Sequence, residues 1–165
     1  MKADKLYLVG FMGAGKTTVA RALGRRTGWR VEDIDERIEA REHRNVASIF
    51  SQQGEPYFRQ LERMALGEFL SLRHVVVATG GGTFVEADNR ALMLADGAVA
   101  WLDLPLEHVI KRVPADGRRP LAADRAQMET LYARRQLAYA HAHVRIDATR
   151  PVAEVVGRLL EWVDF

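Results

Sequence analysis

The sequence predicts an α/β fold in which a five-stranded parallel sheet lies between two layers of helices, a three-layer sandwich. Short apolar, β-branched segments alternate along the chain with longer segments of helical periodicity, which is typical of parallel strands joined by crossover helices. A glycine-rich turn joins the first apolar segment to the first helical one. The length of 165 residues, without repeats or linkers, indicates a single domain.

The elements follow one another in the order that such a sandwich requires. Apolar segments predict strands at 6–9, 29–31, 74–79, 98–102 and 143–146. Apolar residues at helical spacing predict helices at about 16–26, 35–42, 46–53, 56–72, 87–94, 106–113, 125–140 and 152–163. Gly28 is a typical helix-terminating residue, and the Gly-Glu-Pro sequence at 54–56 separates two of the helices. The proline-bounded, charged segment 114–120 is expected to be a loop.

The composition excludes several classes of protein. There is no cysteine, so disulfide scaffolds, cysteine-ligated zinc, iron–sulfur clusters and thiol catalysis are ruled out. The apolar segments are strand-sized, far shorter than the roughly 20 residues that cross a bilayer. The N-terminus lacks the apolar core and cleavage site of a signal peptide. We therefore expect a cytoplasmic protein without a membrane partner, and a monomer, since nothing in the sequence demands a partner chain.

Arginine dominates the basic residues. The chain has 24 basic and 22 acidic residues, but only four of the basic ones are lysines and the other 20 are arginines. Arginine binds phosphate and carboxylate groups through paired hydrogen bonds, although a GC-rich genome would also explain the excess. The pI near 9.1 raises the alternative of a nucleotide-dependent nucleic-acid-binding protein. The arginines are spread among acidic residues without an aromatic–basic tract, so no nucleic-acid partner is expected.

The glycine-rich turn matches the phosphate-binding motif G-x-x-x-x-G-K-[ST] at Gly10–Thr17. It follows a predicted strand and opens a predicted helix, as phosphate binding requires. The backbone N–H groups of such a loop surround the phosphates, and the helix dipole adds to their attraction. The Lys16 ammonium is expected to reach the β- and γ-phosphates of a nucleotide, and the Thr17 hydroxyl to bind Mg²⁺. ATP and Mg²⁺ are therefore the expected cofactors.

Two aspartates follow the second predicted strand. If the segment is extended, the side chains of Asp33 and Asp35 point the same way and Ile34 faces the core. They would then lie at the carboxyl edge of the sheet, where open α/β sheets bind ligands. One carboxylate could hold Mg²⁺ through water while the other accepts a substrate hydroxyl proton. The structural alternative is that one of them only caps the next helix.

The second acidic residue that motors and switches carry at the end of an apolar strand is missing from its expected place. The strand at 75–79 ends in glycines instead. The strand at 98–102 is followed by Asp103, but Pro105 comes shortly after it, and Asp103 is interpreted as a helix cap. A small phosphotransferase is therefore favoured over a motor protein.

With these motifs in order, the sequence resembles the shikimate kinases, small P-loop enzymes of the nucleoside-monophosphate-kinase-like group. The resemblance covers nearly the whole chain. It rests on the segments Gly10–Thr17, Asp33–Asp35 with Ile38 and Glu39, Ser48–Phe50, Gly54–Glu62, Gly80–Gly82 and Arg119–Leu121, and on Arg135 with Tyr139. The P-loop is shared with many families, whereas the Phe-Arg-x-x-Glu segment joined to the triple glycine and Arg-Pro-Leu is much narrower. The sequence Glu42-His43-Arg44-Asn45 stands where the family often has a glycine, so its local turn is expected to differ.

The resemblance implies transfer of the γ-phosphoryl group of ATP to the 3-hydroxyl of shikimate, in chorismate and aromatic amino-acid biosynthesis. The implied catalytic residues are Asp35, Lys16 and Arg119. The implied ATP-binding residues are Gly13, Ala14, Gly15, Lys16, Thr17, Thr18, Arg112 and Arg119. The implied shikimate-binding residues are Asp35, Arg59, Gly80, Gly81, Gly82 and Arg135. Asp33 is implied to support Mg²⁺ through water, together with Thr17, and Arg112 to pack beside adenine.

The physical chemistry of shikimate agrees with this set. Shikimate is a compact triol with one carboxylate, which the guanidinium groups of Arg59 and Arg135 would orient through paired hydrogen bonds. The substrate-binding helices are expected at about 34–62, and 113–124 is expected to be a lid. A closing arginine loop excludes water and neutralises charge on the transferred phosphoryl group, the role expected of Arg119. Arg118 and Arg134 each directly precede one of these arginines, so an assignment shifted by one residue is the alternative.

Two alternatives to a shikimate-specific kinase follow from the same motifs. The scaffold could phosphorylate another small polyol acid such as gluconate, although the arginine-rich carboxylate site favours shikimate. The chain could also be a non-enzymatic module of the kind found in some fused proteins. Retention of Lys16, Asp33, Asp35 and Arg119 together argues against a loss of catalysis.

Overall fold

The computed structural model describes residues 1–112 and 125–165 of the chain. The strands in this part are β1 (Lys5–Val9), β2 (Arg30–Asp33), β3 (Val75–Ala78), β4 (Ala98–Asp103) and β5 (Val144–Asp147). The α-helices are α1 (Lys16–Thr27), α2 (Ile34–Glu42), α3 (Val46–Phe69), α4 (Ala87–Asp96), α5 (Leu106–Arg112), α6 (Arg125–Tyr139) and α7 (Val152–Trp162). A short 3-10 helix, Thr83–Val85, lies between β3 and α4.

The five strands form one parallel sheet in the order β2-β3-β1-β4-β5. The chain leaves β1 toward β2 and leaves β3 toward β4, so it departs from these adjacent strands in opposite directions. Such a reversal opens a crevice beyond the carboxyl ends of the two strands. The loop after β1 carries the P-loop and the loop after β3 carries the triple glycine, so both motifs meet at this crevice. The predicted α/β fold is confirmed.

The core is built on the central strands. Every residue of β1 and β3 is buried, since helices cover both faces of the sheet. Lys5 is the one charged residue of β1, and its side chain is fully buried at the amino end of the strand. It donates to the carbonyl oxygen of Phe69 at 2.8 Å and forms an ion pair with Asp96 at 2.7 Å. These bonds tie the carboxyl ends of α3 and α4 to β1.

The observed elements differ from the predicted ones at four of the places that the structure describes. β2 continues through Asp33, two residues beyond the predicted strand, because Glu32 and Asp33 pair with Val77 and Ala78 of β3. The two helices predicted on either side of 54–56 form α3, which is kinked at Gly54, where φ is 82°. The 3-10 helix after the triple glycine was not predicted. Asp103, interpreted as a helix cap, ends β4 and accepts two hydrogen bonds from the Arg145 guanidinium.

The turn between α2 and α3 forms without glycine. His43 takes the left-handed conformation there, with φ of 55°. The Glu42 carboxylate accepts a hydrogen bond from the Tyr57 hydroxyl at 2.8 Å and pairs with Arg44 at 2.9 Å. Asn45 caps α3 by accepting from the Ser48 amide. Side-chain bonds around the turn therefore offset the strain of a non-glycine residue at positive φ.

One further feature of the fold concerns membranes. Across residues 1–112 and 125–165, no helix has both the length and the apolar surface that a bilayer crossing would need.

Candidate active site

The P-loop connects β1 to α1. Gly15 precedes the helix in the left-handed conformation, with φ of 90°, and no side chain caps the first turn of α1. The amide groups at this helix end are therefore a site for anionic oxygen atoms. The Lys16 ammonium is buried and donates to the carbonyl oxygens of Gly10 at 2.5 Å and Phe11 at 3.0 Å.

Thr17 and Asp33 join the P-loop to the end of β2. The Thr17 hydroxyl donates to Oδ2 of Asp33 at 2.5 Å, while Oδ1 of Asp33 accepts from the Glu36 amide at 3.0 Å and caps α2. The segment 33–35 is not extended throughout, because α2 begins at Ile34 and Asp35 lies in its first turn, yet both aspartates line the same cavity. Ile34 is fully buried, as expected.

A cavity of about 690 Å³ lies between the P-loop, the start of α2 and the triple glycine. It brings together most of the predicted ATP-binding residues and part of the predicted substrate-binding set. Its lining from these sets consists of Gly13, Ala14, Gly15, Lys16, Thr17, Thr18, Asp33, Asp35, Gly80, Gly81 and Arg112. Glu39 lines the same cavity and accepts a hydrogen bond from the Val46 amide at the start of α3. Gly82, Arg59 and Arg135 do not line it, so the cavity joins the predicted nucleotide end to Asp35 and the first two glycines of the predicted substrate end.

Each residue of the triple glycine after β3 lies close to a different charged side chain. A Cβ atom added to Gly80 would lie 2.9 Å from Oδ1 of Asp35, and one on Gly81 would lie 2.7 Å from Nη1 of Arg135. A Cβ atom on Gly82 would lie 2.5 Å from Nη2 of Arg59. A larger residue at any of these positions would displace the charged group that approaches it. The three side chains predicted to bind shikimate are thus gathered along one short stretch of backbone.

Arg135 and Arg59 reach the glycines from different helices and differ in their partners. Arg135 on α6 is 5% exposed, and its guanidinium lies over the Phe11 ring, 5.6 Å from the centroid. Burial lowers the pKa of Arg135 below the usual arginine value. Arg59 on α3 pairs with Glu62 at 2.6 Å and with Glu55 at 3.2 Å. Burial acts to lower the pKa of Arg59, but these two carboxylates outweigh it and raise the pKa.

The neighbouring Arg134 is exposed, whereas Arg135 is buried against Gly81. A buried guanidinium is costly without an anion near it. The carboxylates that act on Arg135 from a distance, Glu62 and Glu55, are bonded to Arg59. Arg135 is therefore well placed to attract the carboxylate of a small ligand.

Comparison with known proteins decides the family. Residues 12–164 match the family model described as shikimate kinase. The chain belongs to the shikimate kinase family. The shikimate kinase of Persephonella marina is 41% identical over 160 residues, covering 93% of this chain and 98% of that protein. The shikimate kinase of Chromobacterium violaceum is 41% identical over 164 residues, covering 96% of this chain and 89% of that protein.

Solved structures agree with the sequence relationship. A shikimate kinase from Acinetobacter baumannii in complex with shikimate is 34% identical, with a TM-score of 0.91 over 96% of this chain and 92% of that one. Deoxyadenosine kinase from M. mycoides with bound dATP is 16% identical, with a TM-score of 0.64 over 96% of this chain and 98% of that one. The second likeness shows the fold alone. The predicted family, with its P-loop kinase class, is confirmed.

Two predicted residues of this shikimate kinase family member lie at or beyond the limit of the described structure. Arg112 ends α5 and is exposed, and its Nη1 donates to the carbonyl oxygen of Gly13 at 3.2 Å. It therefore lies beside the P-loop, and its predicted place beside adenine stays a prediction. Arg119 and the predicted lid at 113–124 lie outside the described residues.

Three further residues of the site received no role from the sequence. Glu62 is fully buried and bonds both Arg59 and the Thr83 hydroxyl. The Tyr139 hydroxyl donates to the carbonyl oxygen of Gly81 at 2.5 Å, and burial raises the pKa of this phenol above its usual range. The spacing of Glu62 from Arg59 by three residues on one helix was a usable signal. No sequence pattern pointed to Thr83, because its partner Glu62 lies 21 residues away in the chain.

Proposed function

We propose that this chain transfers the γ-phosphoryl group of ATP to the 3-hydroxyl of shikimate, giving shikimate 3-phosphate and ADP for chorismate and aromatic amino-acid biosynthesis. The observation that carries the proposal is the contact of Gly80, Gly81 and Gly82 with Asp35, Arg135 and Arg59, respectively. It brings two guanidinium groups and one carboxylate to a glycine turn, of which Gly80 and Gly81 line the cavity beside the P-loop. A small hydroxy acid has a complementary set of groups.

The substrate end of the site is proposed to recognise the carboxylate first. Arg59 and Arg135 would bind it from α3 and α6, with paired hydrogen bonds that fix orientation as well as charge. The hydroxyl that accepts the phosphoryl group would then face Asp35, which lines the cavity beside Lys16 and Thr17. Orientation of this kind supplies much of the rate of a phosphoryl transfer.

The ATP end is proposed to use the P-loop and the start of α1. The amides around Gly13, Ala14 and Gly15 would hold the phosphates, with Thr18 at the edge of the same cavity. Lys16, whose ammonium donates to two loop carbonyls, would exchange one of these bonds for a β- or γ-phosphate oxygen. Arg112 would lie beside the adenine. Arg119 is proposed, from its sequence position alone, to neutralise charge on the transferred group.

Thr17 and Asp33 fit a magnesium ion by the chemistry of their donor atoms. A hydroxyl oxygen and a carboxylate oxygen lie 2.5 Å apart at the mouth of the P-loop, and Mg²⁺ prefers oxygen ligands of this kind. Thr17 would bind the ion directly and Asp33 through water. When bound, Mg²⁺ would offset the negative charge of the phosphates.

Asp35 is proposed to accept the proton of the attacking hydroxyl or to orient that hydroxyl. In a loose transition state little proton transfer is needed, so orientation alone contributes to rate. The first turn of α2 holds Asp35 against Gly80. Its carboxylate is thereby fixed relative to the backbone that the substrate would contact.

The proposal extends to the organisation and setting of the enzyme. We expect one P-loop kinase domain over 1–165, with substrate-binding helices at about 34–62 and an inserted lid at about 113–124. A cytoplasmic monomer without a nucleic-acid or membrane partner is expected. Size-exclusion chromatography with light scattering would test the oligomeric state, and a filter-binding assay at varied salt would test for nucleic acid.

Release of ADP in the presence of alternative acceptors tests the proposed reaction. The purified chain, with ATP and Mg²⁺, is assayed in parallel with shikimate, gluconate and AMP. We expect ADP to form with shikimate well above the rate without acceptor, and the product to be shikimate 3-phosphate by phosphorus NMR. If gluconate alone stimulates release, the polyol-acid alternative replaces this one. The absence of stimulation by shikimate would contradict the proposal.

A further inference from the structure

We propose that Thr83 is a positioning residue for the substrate carboxylate, acting through Glu62 on the guanidinium of Arg59. The inference rests on the proposed function, because it concerns how Arg59 is held for shikimate. Thr83 is the first residue after the triple glycine and opens the 3-10 helix.

The Thr83 hydroxyl is held at both of its hydrogen-bonding positions. Its oxygen accepts from the Gly80 amide at 3.1 Å, and the hydroxyl donates to Oε2 of Glu62 at 2.7 Å. The Gly80 amide can only donate and the Glu62 carboxylate accepts, so the direction of the hydroxyl proton is fixed toward Glu62. Thr83 and Glu62 are both fully buried, which keeps water from competing for either bond.

Glu62, held by Thr83, in turn fixes the guanidinium of Arg59. Its other oxygen, Oε1, accepts from Nη1 of Arg59 at 2.6 Å. The second carboxylate on Arg59, that of Glu55, has a side chain 56% exposed, whereas the Glu62 side chain is inaccessible. Exposed ion pairs constrain geometry weakly. Glu62 therefore sets the orientation of the guanidinium, and the Thr83 hydroxyl sets the orientation of Glu62.

The same hydroxyl also fixes the backbone that Arg59 contacts. Gly82, which precedes Thr83, has the Arg59 guanidinium where a Cβ atom would stand. Through the Gly80 amide, Thr83 holds the other end of the triple glycine. The Thr83 side chain thus fixes the position of the glycine turn relative to the Arg59 guanidinium. Without the hydroxyl, Glu62 gains rotational freedom and Arg59 loses its preset direction.

If Thr83 has this role, its loss should raise the KM for shikimate and leave kcat unchanged. The shikimate carboxylate takes no part in the bond changes at the 3-hydroxyl, and Arg135 would still orient it when only the direction of Arg59 is loosened. The bond from Arg59 is therefore expected to be equal in the ground and transition states. Loss of such uniform binding raises KM and leaves kcat unchanged. A residue that only stabilised the 3-10 helix would instead lower thermal stability without a selective change in one KM.

Two matched pairs of residues at position 83 isolate the hydroxyl. Wild type and Thr83→Val differ by a hydroxyl in place of a methyl group, and Thr83→Ser and Thr83→Ala differ only by the hydroxyl. We expect each variant without the hydroxyl to raise the KM for shikimate about 10-fold, the scale of a lost hydrogen bond to a charged group. The kcat and the KM for ATP are expected to stay within about twofold, and Thr83→Ser to remain near wild type.

Thr27→Val is the control because the Thr27 hydroxyl also accepts from a backbone amide and donates to an oxygen atom, but does not line the cavity. Thr27 donates to the Leu23 carbonyl at 2.8 Å and accepts from the Trp29 amide at 3.1 Å, at the end of α1. This variant is expected to lose stability, measured by thermal unfolding, with the KM for shikimate unchanged. If Thr83→Val does not fold, the Ser and Ala pair carries the comparison.

A double-mutant cycle with Glu62→Gln tests whether Thr83 acts through Glu62. Coupled residues are non-additive, so Thr83→Val is expected to change the KM for shikimate little in the Glu62→Gln background. A wild-type KM for shikimate in Thr83→Val and Thr83→Ala would overturn the inference, as would equal increases in both KM values. The wild-type chain is assayed first. If it releases no ADP with shikimate, the proposed function is wrong, and this outcome is distinct from a failure of the inference about Thr83.

Discussion

The Thr17 hydroxyl donates to Asp33 at 2.5 Å, and the same carboxylate caps α2 through its other oxygen. One side chain therefore links the start of α1 to the start of α2, the helix that carries Asp35. The two interpretations of Asp33, a helix cap and a support for Mg²⁺, are compatible because they use different oxygen atoms. The position of Asp35, the proposed acceptor, is thus tied to the phosphate loop.

The two roles of Asp33 are separable by substitution. Asparagine caps helices as well as aspartate does but carries no charge, so Asp33→Asn is expected to keep the thermal stability and to require at least about 10-fold more Mg²⁺ for half-maximal activity. Asp33→Ala is expected to lose the cap as well, about 1 kcal/mol of unfolding free energy. Magnesium titrations of activity and denaturant unfolding measure the two effects. Equal magnesium requirements in wild type and Asp33→Asn would remove Asp33 from the metal site.

Asp35 is expected to matter for turnover and not for nucleotide binding. Asp35→Asn keeps the shape of the side chain and removes its capacity to accept a proton. We expect kcat to fall at least about 100-fold, the scale of a positioned base, with the affinity for ADP nearly unchanged in calorimetry. Asp88→Asn is the control, since Asp88 is also a first-turn aspartate but is exposed on α4. Unchanged turnover in Asp35→Asn would take Asp35 out of the mechanism.

The adjacent arginines on α6 provide an internal comparison. Arg135 is buried against Gly81, whereas Arg134 is exposed. Arg135→Ala is expected to raise the KM for shikimate by roughly 10- to 100-fold, as the loss of a charge-assisted bond in a buried site would. Arg134→Ala is expected to leave it unchanged. Steady-state kinetics on both variants decide between them, and the reverse order would mean that the assignment is shifted by one residue.

The fold was predictable from the sequence because its signals are local. The apolar runs of β1, β3 and β4 identified buried strands, and Gly28 ended α1 with a left-handed conformation, as expected. The segment at Asp33 was harder, since periodicity does not distinguish the end of a strand from a helix cap. Its carboxylate bonds Thr17, 16 residues earlier in the chain, and this contact depends on the assembled sheet.

The site was predictable where a motif carries the chemistry and not where it depends on packing. The spacing of Gly10–Thr17 indicated the phosphate loop, and the resemblance supplied Arg59 and Arg135. No pattern gave the role of Thr83, whose partner Glu62 lies 21 residues earlier on α3. Hydrogen bonds of this kind become visible only once the helices are packed on the sheet.

A crystal structure with ADP and shikimate bound would show which side chains hold the substrate carboxylate. We expect this carboxylate to lie between the guanidinium groups of Arg59 and Arg135, with nitrogen–oxygen distances near 3 Å to each. The 3-hydroxyl is expected to face Asp35. A carboxylate bound by neither arginine, or one bound by Arg134 instead, would overturn the proposed site.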